Sequence, residues 1–260
     1  MTDRSASDEA FRLEGVTALV TGSTRGIGAA IAEEFASAGA EVIVTGRSPA
    51  AAEAVARRIE AGGGRAHALA YEASAPGAAD ALIAGVGSIS SKLDVLVNNA
   101  AILKPHRVGR LSEEEFDEVF GVNTRAALFL SQKAHPLLVR SEQASIVNVT
   151  AACAHRPMRG LGAYCASKAA MINFTSTLAQ EWAKDGIRVN ALTPGSVETD
   201  MILPSDEAER AKFIEEMGDQ NLMGRLAAPL EIARAVRFLA SPAASFMTGQ
   251  TMIVDGGLLA

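Results

Sequence analysis

The sequence has little cysteine and no long apolar run, and each absence excludes a class of protein. Two cysteines among 260 residues, Cys153 and Cys165, cannot form a disulfide framework or a metal-ligand cluster. No uninterrupted apolar stretch approaches the ~18 residues of a membrane span. Residues 1–10 are polar and charged and lack the apolar run of a signal peptide. We therefore expect a cytoplasmic protein without a metal site.

An excess of positive charge is also missing. The chain has 24 basic and 30 acidic residues, and this balance argues against a nucleic-acid-binding surface. No internal repeat, low-complexity tract or linker divides the sequence, and a chain of this length can form one α/β domain with a sizeable core. The expected partner is a small molecule rather than a nucleic acid or a membrane.

Strand-like and helix-like segments alternate along the chain. Strands are predicted at residues 16–20, 41–45, 65–70, 93–97, 145–149, 188–192 and 251–254. Helices are predicted near residues 29–35, 50–61, 77–88, 112–139, 162–184 and 230–239. This alternation predicts a single-domain α/β fold, a doubly wound, seven-stranded parallel sheet with helices on both faces. Only residues 196–225 break the rhythm.

A glycine-rich turn, Thr21 to Gly28, joins the first strand to the first helix. Gly22 permits a tight turn, Gly26 lets the backbone approach a pyrophosphate, and Gly28 allows the helix and strand to pack closely. The N–H groups at the start of the helix are free to bind phosphates. The turn therefore predicts a dinucleotide site.

Tyr164 and Lys168 are spaced by four residues, which places them one turn apart on the same face of a helix. A phenol ionises near pH ~10, and a fixed positive charge favours its anionic form. The pair predicts a proton donor and acceptor that works at neutral pH.

These motifs, with others in the same order, resemble those of the short-chain dehydrogenase/reductase family over residues 13–257. The further motifs are Asn98-Asn99-Ala100-Ala101, Asn123 in Gly-Val-Asn-Thr, Pro194-Gly195 with Thr199 downstream, and Gly249-Gln250 before Asp255-Gly256-Gly257. The resemblance implies a flexible segment at residues 1–12 and a Rossmann-type domain at residues 13–260, with a substrate lid at about 196–225. It also implies a homo-oligomer, with a tetramer expected.

The resemblance further implies NADP(H)-dependent interconversion of a secondary alcohol and a ketone by hydride transfer. Tyr164 would exchange the proton with the substrate oxygen, Lys168 would lower the pKa of the phenol and hold the nicotinamide ribose, and Asn123 would anchor a relaying water. Cofactor contacts are expected at Gly22, Ser23, Thr24, Arg25, Gly26, Ile27, Gly28, Arg47, Ser48, Glu72, Ala73, Asn99, Ala100, Tyr164, Lys168, Pro194, Gly195, Val197 and Thr199. Substrate contacts are expected at Ala151, His155 and Arg159.

Charge at the end of the second strand favours NADP over NAD. In the family an acidic residue at this point binds the adenosine ribose of NAD and repels a 2′-phosphate, and Gly46 occupies that position here. Arg47 follows, Arg25 lies in the glycine loop, and two guanidinium groups can hold a phosphate through paired hydrogen bonds. The alternative is that both are solvated surface arginines.

Ala151 departs from the family pattern. A serine thirteen positions before the tyrosine normally hydrogen-bonds the substrate oxygen, and position 151 is alanine. Thr150 is adjacent but points to the opposite side of an extended segment. Three explanations are open: the natural enzyme works without the serine, another side chain replaces it, or the alanine is an engineered change. The rival functions are a dehydration or epimerisation without net redox, and a binding protein of low activity.

The sequence gives weaker indications of the substrate and of the oligomeric state. The expected pocket walls are His155, Arg156, Met158 and Arg159; Lys104 and His106; and Met201, Ile202 and Leu203. Their basic groups either meet an anionic substrate or are solvated loop charges. Apolar residues beyond one core-facing stripe predict an interface between copies. They are Leu128, Phe129, Leu130, Met171, Ile172 and Phe174.

Overall fold

The computed structural model describes residues 9–260, and its sheet follows the predicted alternation. The strands are Thr17–Val20 (β1), Glu41–Gly46 (β2), Arg65–Ala70 (β3), Val95–Asn98 (β4), Ser145–Val149 (β5), Arg188–Pro194 (β6) and Thr251–Val254 (β7). All neighbouring strands are parallel, in the order β3-β2-β1-β4-β5-β6-β7. The predicted seven-stranded, doubly wound fold is confirmed.

Helices follow the strands as the sequence predicts. In residues 9–260 the α-helices with defined ends are Gly26–Ser37 (α1), Pro49–Ala61 (α2), Ala78–Ile89 (α3), Glu113–Phe120 (α4), Ala127–Leu138 (α5), Gly162–Trp182 (α6), Glu207–Gly218 (α7) and Pro229–Ala240 (α8). Helices α1, α2 and α8 bury one face of the sheet around Phe35, Ile59 and Val236. Helices α3, α5 and α6 bury the other around Val86 and Leu178. Because both faces are covered, the central strands β1, β4 and β5 are buried along their whole length.

The order of the strands reverses beside β1, which has β2 on one side and β4 on the other. Val20 at the end of β1 is in register with Val44 of β2 and Val97 of β4. In an open α/β sheet, the crevice outside the carboxyl ends of the strands at such a point is where ligands bind. The loops that follow β1 and β4 meet there.

Two segments differ from the sequence prediction. The single helix expected at 112–139 is divided by a turn of π-helix, Gly121–Ala126. The lid region contains α7, whose first turn is capped by Asp206, with its carboxylate accepting from Ala208 N and Glu209 N at 3.0 and 2.9 Å. Helix α7 is mostly exposed and polar, so no apolar stripe marks it in the sequence.

The predicted N-terminal segment is only partly described. Residues 1–8 lie outside the described residues. Further on, Ala10 O accepts from Ala243 N at 2.9 Å, and the rings of Phe11 and Phe238 have their centroids 6.2 Å apart. No helix in residues 9–260 is both long and apolar enough to cross a membrane.

The residues proposed for an interface divide between core and surface. Leu130 and Met171 are buried, which corrects their assignment, because they pack inside the subunit. Phe129 is 45% exposed, and Leu128, Ile172 and Phe174 are half-buried. A tetramer stays a prediction.

Candidate active site

The glycine loop is held closed by a side chain from β4. Asn99 donates through its amide nitrogen to Thr21 O at 2.9 Å and to Gly22 O at 3.1 Å. A Cβ at Gly28 would lie 2.3 Å from Gly22 O and 2.5 Å from the Asn99 nitrogen. Only glycine fits at position 28, because helix α1 begins directly against the loop backbone.

Ser23 has a structural role within this loop. It is fully buried, its hydroxyl donates to Val20 O at 2.7 Å and accepts from Thr45 N at 2.8 Å, and its own N–H donates to Thr45 O at 2.9 Å. Both donors are used inside the protein. Ser23 thus ties β1 to β2, and its contact with the cofactor stays a prediction.

Gly46 at the end of β2 has no room for a side chain. A Cβ there would lie 2.4 Å from the Thr24 methyl group, which fills the space an acidic side chain would need. The sequence shows only that the acid is missing, whereas the packing shows that Thr24 excludes it.

Arg25 and Arg47 lie on the two sides of this position in long, exposed ion pairs. Arg25 is 3.7 Å from Asp200, and Arg47 is 3.9 Å from Glu72. The arginine side chains are 64% and 76% exposed, and such pairs contribute ~0–1 kcal/mol. Both guanidinium groups can therefore turn toward a phosphate at small cost, and the residues present fit a dinucleotide that carries a 2′-phosphate.

The segment after β6 closes the crevice from the side opposite the loop. A Cβ at Gly26 would lie 3.2 Å from the Thr199 methyl group. Gly195 N donates to Val254 O at 3.0 Å, and Val197 forms an isolated bridge with Ala227. The remaining predicted cofactor residues lie around this crevice or pack beneath it. Ile27 and Ala73 pack on the core, and Ser48 caps α2. Ala100 N donates to the Thr21 hydroxyl, and Pro194 ends β6.

Tyr164 and Lys168 are neighbours in the first turns of α6. They are 8% and 3% exposed, and the Lys168 nitrogen lies 5.9 Å from the centre of the Tyr164 ring. Lys168 donates to Val149 O at the end of β5 at 2.8 Å. The predicted pair is therefore brought to the carboxyl end of the sheet.

Burial dominates the electrostatics of this pair. It raises the pKa of the Tyr164 phenol, and Cys153 and Cys165 add to the rise. Burial lowers the pKa of Lys168 to about 8. The pKa of the phenol is therefore raised overall rather than lowered, because burial disfavours the phenolate. The effect of Lys168 on that pKa stays a prediction.

Asn123 lies in the π-helical turn and joins the loop after β4 to α6. Its carbonyl oxygen accepts from Ile102 N at 2.8 Å, and its amide nitrogen donates to Ile102 O at 3.0 Å and to the Ser167 hydroxyl at 3.1 Å. Ser167 donates in turn to Tyr164 O at 2.7 Å. Sequence reasoning missed Ser167, although a small polar residue three positions after the tyrosine is a usable signal.

Comparison with known proteins identifies the family. A family model described as enoyl-(acyl carrier protein) reductase matches residues 22–259. The chain is also 36% identical over 248 residues to the 3-oxoacyl-[acyl-carrier-protein] reductase of Vibrio cholerae, which covers 95% of this chain and 99% of that protein. The chain belongs to the short-chain dehydrogenase/reductase family. A tropinone reductase homolog of Datura stramonium is 37% identical over 252 residues, 96% of this chain and 94% of that protein.

Solved structures of short-chain dehydrogenases/reductases superpose closely on this one. The 3-oxoacyl (acyl-carrier-protein) reductase of Agrobacterium tumefaciens with NADP bound has a TM-score of 0.91 at 39% identity, over 96% of each chain. A gluconate 5-dehydrogenase of Burkholderia cenocepacia in complex with NADP and tartrate has a TM-score of 0.90 at 30% identity, over 97% of this chain and 98% of that one.

Ala151 occupies the position at which the family resemblance predicts a serine. It packs against the cluster formed by Tyr164, Cys153 and Cys165. Thr150 is turned away, because its hydroxyl donates to Leu192 O at 3.0 Å on β6. The expectation that Thr150 needs a rearrangement to replace the serine agrees with this geometry.

His155 is oriented by a chain of hydroxyl groups. The Thr150 hydroxyl has one proton and donates it to Leu192 O. In the 2.7 Å hydrogen bond between Thr150 and Thr193, the Thr193 hydroxyl is therefore the donor. The Thr193 oxygen then accepts from His155 Nε2, 3.3 Å away. This order leaves Nδ1 of the neutral imidazole as the acceptor. Sequence reasoning missed Thr193, since nothing in the sequence predicts that it lies beside Thr150.

The two cysteines pack beside the tyrosine. Burial and, to a smaller extent, a hydrogen bond with Cys165 raise the pKa of the Cys153 thiol to about 12, so that thiol is protonated near neutral pH. Both are buried small side chains, as the packing interpretation of Cys165 expects. Within residues 9–260 no group of three or more His, Cys, Asp or Glu side chains is arranged to hold a metal ion.

Proposed function

We propose that this protein is an NADP(H)-dependent oxidoreductase that interconverts a secondary alcohol and a ketone. The observation that carries the proposal is the pair Tyr164 and Lys168, buried at the carboxyl end of β5 next to the crevice of the glycine loop. The two NADP-bound relatives support the choice of cofactor. Screening matched alcohols and ketones with both nicotinamide cofactors tests it.

The reduced cofactor, when bound, supplies the hydride that the carbonyl carbon accepts. Tyr164 gives its phenolic proton to the carbonyl oxygen as that oxygen becomes an alkoxide. A phenol with a raised pKa is protonated at neutral pH and still far more acidic than an alcohol, so this transfer is downhill. Lys168 would hold the nicotinamide ribose and stabilise the resulting phenolate, and Asn123 fixes the turn of α6 that carries both.

We expect tighter binding of NADPH than of NADH. Arg25→Ala combined with Arg47→Ala should weaken NADPH binding at least ~10-fold, because two charge-assisted contacts to the 2′-phosphate are lost, and should change NADH binding less than ~2-fold. Fluorescence titration measures both affinities. Arg57→Ala, which removes another exposed arginine in an ion pair, is the control. Equal affinities in the unmodified protein would contradict the assignment.

Reduction should slow as the pH rises through about 8. Below this pKa Lys168 is charged, and above it the ammonium that stabilises the phenolate is lost. The value of kcat/KM for NADPH reports ionisations that precede cofactor binding. Lys168→Arg keeps the charge at all pH values and should move the falling limb upward. A flat profile from pH 6 to 9.5 would contradict this role.

Ala151 favours one alternative, a dehydration or epimerisation in the same site. Without the serine, a donor to the substrate oxygen that ordinary ketone reduction would use is missing. Product analysis separates the two, since turnover without loss of NADPH absorbance supports the alternative. A cytoplasmic location and assembly into a tetramer stay predictions.

A further inference from the structure

Two loops beside Tyr164 carry basic side chains and no acidic ones. They are residues 103–111 after β4 and residues 151–163 after β5, and the whole chain by contrast has a net charge of −6. Their basic and imidazole side chains are Lys104, His106, Arg107, Arg110, His155, Arg156 and Arg159. Lys104 forms an ion pair with Glu118 of α4, so the remaining positive charge of the loops is that of their arginines.

Most arginines outside these loops have a partner. Eleven of the seventeen arginines in the described part of the chain form an ion pair, a side-chain hydrogen bond or a cation–π contact. The other six are Arg65, Arg107, Arg110, Arg156, Arg159 and Arg234. Four of these six lie on the two loops, where they are exposed and can attract an anion from solution.

The two loops are joined to each other next to the reacting group. His106 N donates to Gly160 O at 2.7 Å, and His106 forms a parallel bridge with Leu161. Leu103 and Leu161 both pack against the cluster around Tyr164. Arg159 is two residues from Leu161, so the positive charge lies close to the tyrosine along the chain.

The acidic side chains at the start of the lid have cationic neighbours elsewhere. Asp200 lies 3.7 Å from Arg25. Glu231 and, to a smaller extent, Glu198 raise the pKa of the Arg225 guanidinium. Their charges are thus directed to other arginines and do not neutralise the two loops.

We propose that the substrate is a small molecule with a carboxylate or phosphate group, which Arg156 and Arg159 hold. The proposal rests on the oxidoreductase function above. Guanidinium groups bind both kinds of anion through paired hydrogen bonds. A small molecule is favoured over an acidic carrier protein, because the basic side chains adjoin residues that contact Tyr164, rather than forming a patch remote from it.

The test compares a keto acid with its uncharged ester. Acetoacetate should have a KM at least ~10-fold below that of methyl acetoacetate with NADPH. Arg156→Gln combined with Arg159→Gln should raise the KM of the acid at least ~10-fold and that of the ester less than ~2-fold. The matched control combines Arg65→Gln with Arg234→Gln, which removes two partnerless arginines elsewhere, and should alter neither KM.

A second measurement does not depend on turnover. Calorimetric titration at constant ionic strength with succinate and with inorganic phosphate should detect millimolar or tighter binding of at least one anion, lost in the Arg156/Arg159 variant and kept in the control. Binding without reduction of any ketone would overturn the oxidoreductase function and leave the anion site standing. Equal effects on acid and ester, no binding of either anion, or an effect confined to a ketone attached to an acidic carrier protein would overturn the anion site.

Discussion

Replacing Tyr164 with phenylalanine should lower kcat for ketone reduction by ~10³-fold or more and leave the affinity for NADPH within ~2-fold. General acid catalysis contributes ~10²–10⁴-fold. The upper part of this range is expected, because Ala151 leaves the phenol without a neighbouring hydroxyl group that could replace it. Steady-state kinetics at saturating NADPH and a fluorescence titration measure the two quantities.

The chain offers a matched control for this change. Tyr71 is the other of the two tyrosines, and burial raises the pKa of its phenol to about 12. Tyr71→Phe removes the same hydroxyl group from a site outside the reaction and should leave kcat within ~2-fold. A Tyr164→Phe variant that keeps more than about a tenth of kcat would show that the proton follows another route.

The sheet could be predicted from the sequence because its central strands β1, β4 and β5 are buried on both faces. The run from Val95 to Val97 is apolar without interruption, and such a run is recognisable whatever its neighbours are. The glycine loop and the Tyr164–Lys168 pair were predictable for a related reason. Their spacing is local, and one turn or one helix fixes the geometry.

Features that depend on contacts between distant segments could not be predicted. Ser23 looks like a phosphate-binding residue in the sequence, and only the pairing of β1 with β2 shows that Thr45 uses its hydrogen bonds. The exclusion of a side chain at Gly46 depends on Thr24, 22 positions earlier. Helix α7 was not predicted, because its residues are mostly polar and exposed and form no apolar stripe.

The pKa of Tyr164 shows the same limit in electrostatics. A lysine four residues away argues for a lower pKa, whereas the degree of burial, which the sequence does not give, decides for a higher one. A raised pKa keeps the Tyr164 phenol protonated near neutral pH, which is the form that donates a proton to the substrate oxygen.

Ala151→Ser should raise kcat for ketone reduction by up to ~10²-fold. A serine hydroxyl at this position would donate to the substrate oxygen as negative charge develops on it, and removal of comparable donors costs ~10²–10³-fold. The gain should appear mainly in kcat, because the hydrogen bond strengthens in the transition state. The backbone of Ala151 is extended, with φ −162° and ψ 151°, a conformation that serine adopts without strain.

The same substitution nearby controls for a general effect of the hydroxyl group. Ala154 lies in the same loop, half-buried at the end of the short 3₁₀ turn. Ala154→Ser should leave kcat within ~2-fold. An unchanged or reduced rate in Ala151→Ser would contradict the ordinary reductase mechanism at this position and favour the non-redox reaction.

His155 decides how the protein works with alanine at this position. Its Nε2 is fixed by Thr193, and Nδ1 is left to meet a ligand or solvent. Because Nδ1 is an acceptor, it can hold a water molecule whose other hydrogen replaces the missing donor. If that water supplies the donor, His155→Ala should lower kcat at least ~10-fold in the unmodified background and have little effect together with Ala151→Ser, since the serine then makes the bond. If the effects of the two substitutions on the activation free energy simply add in the double variant, His155 and position 151 act independently. Non-additive effects would instead mean that the loop has adapted to alanine, because a site prepared for serine would gain nothing from the imidazole.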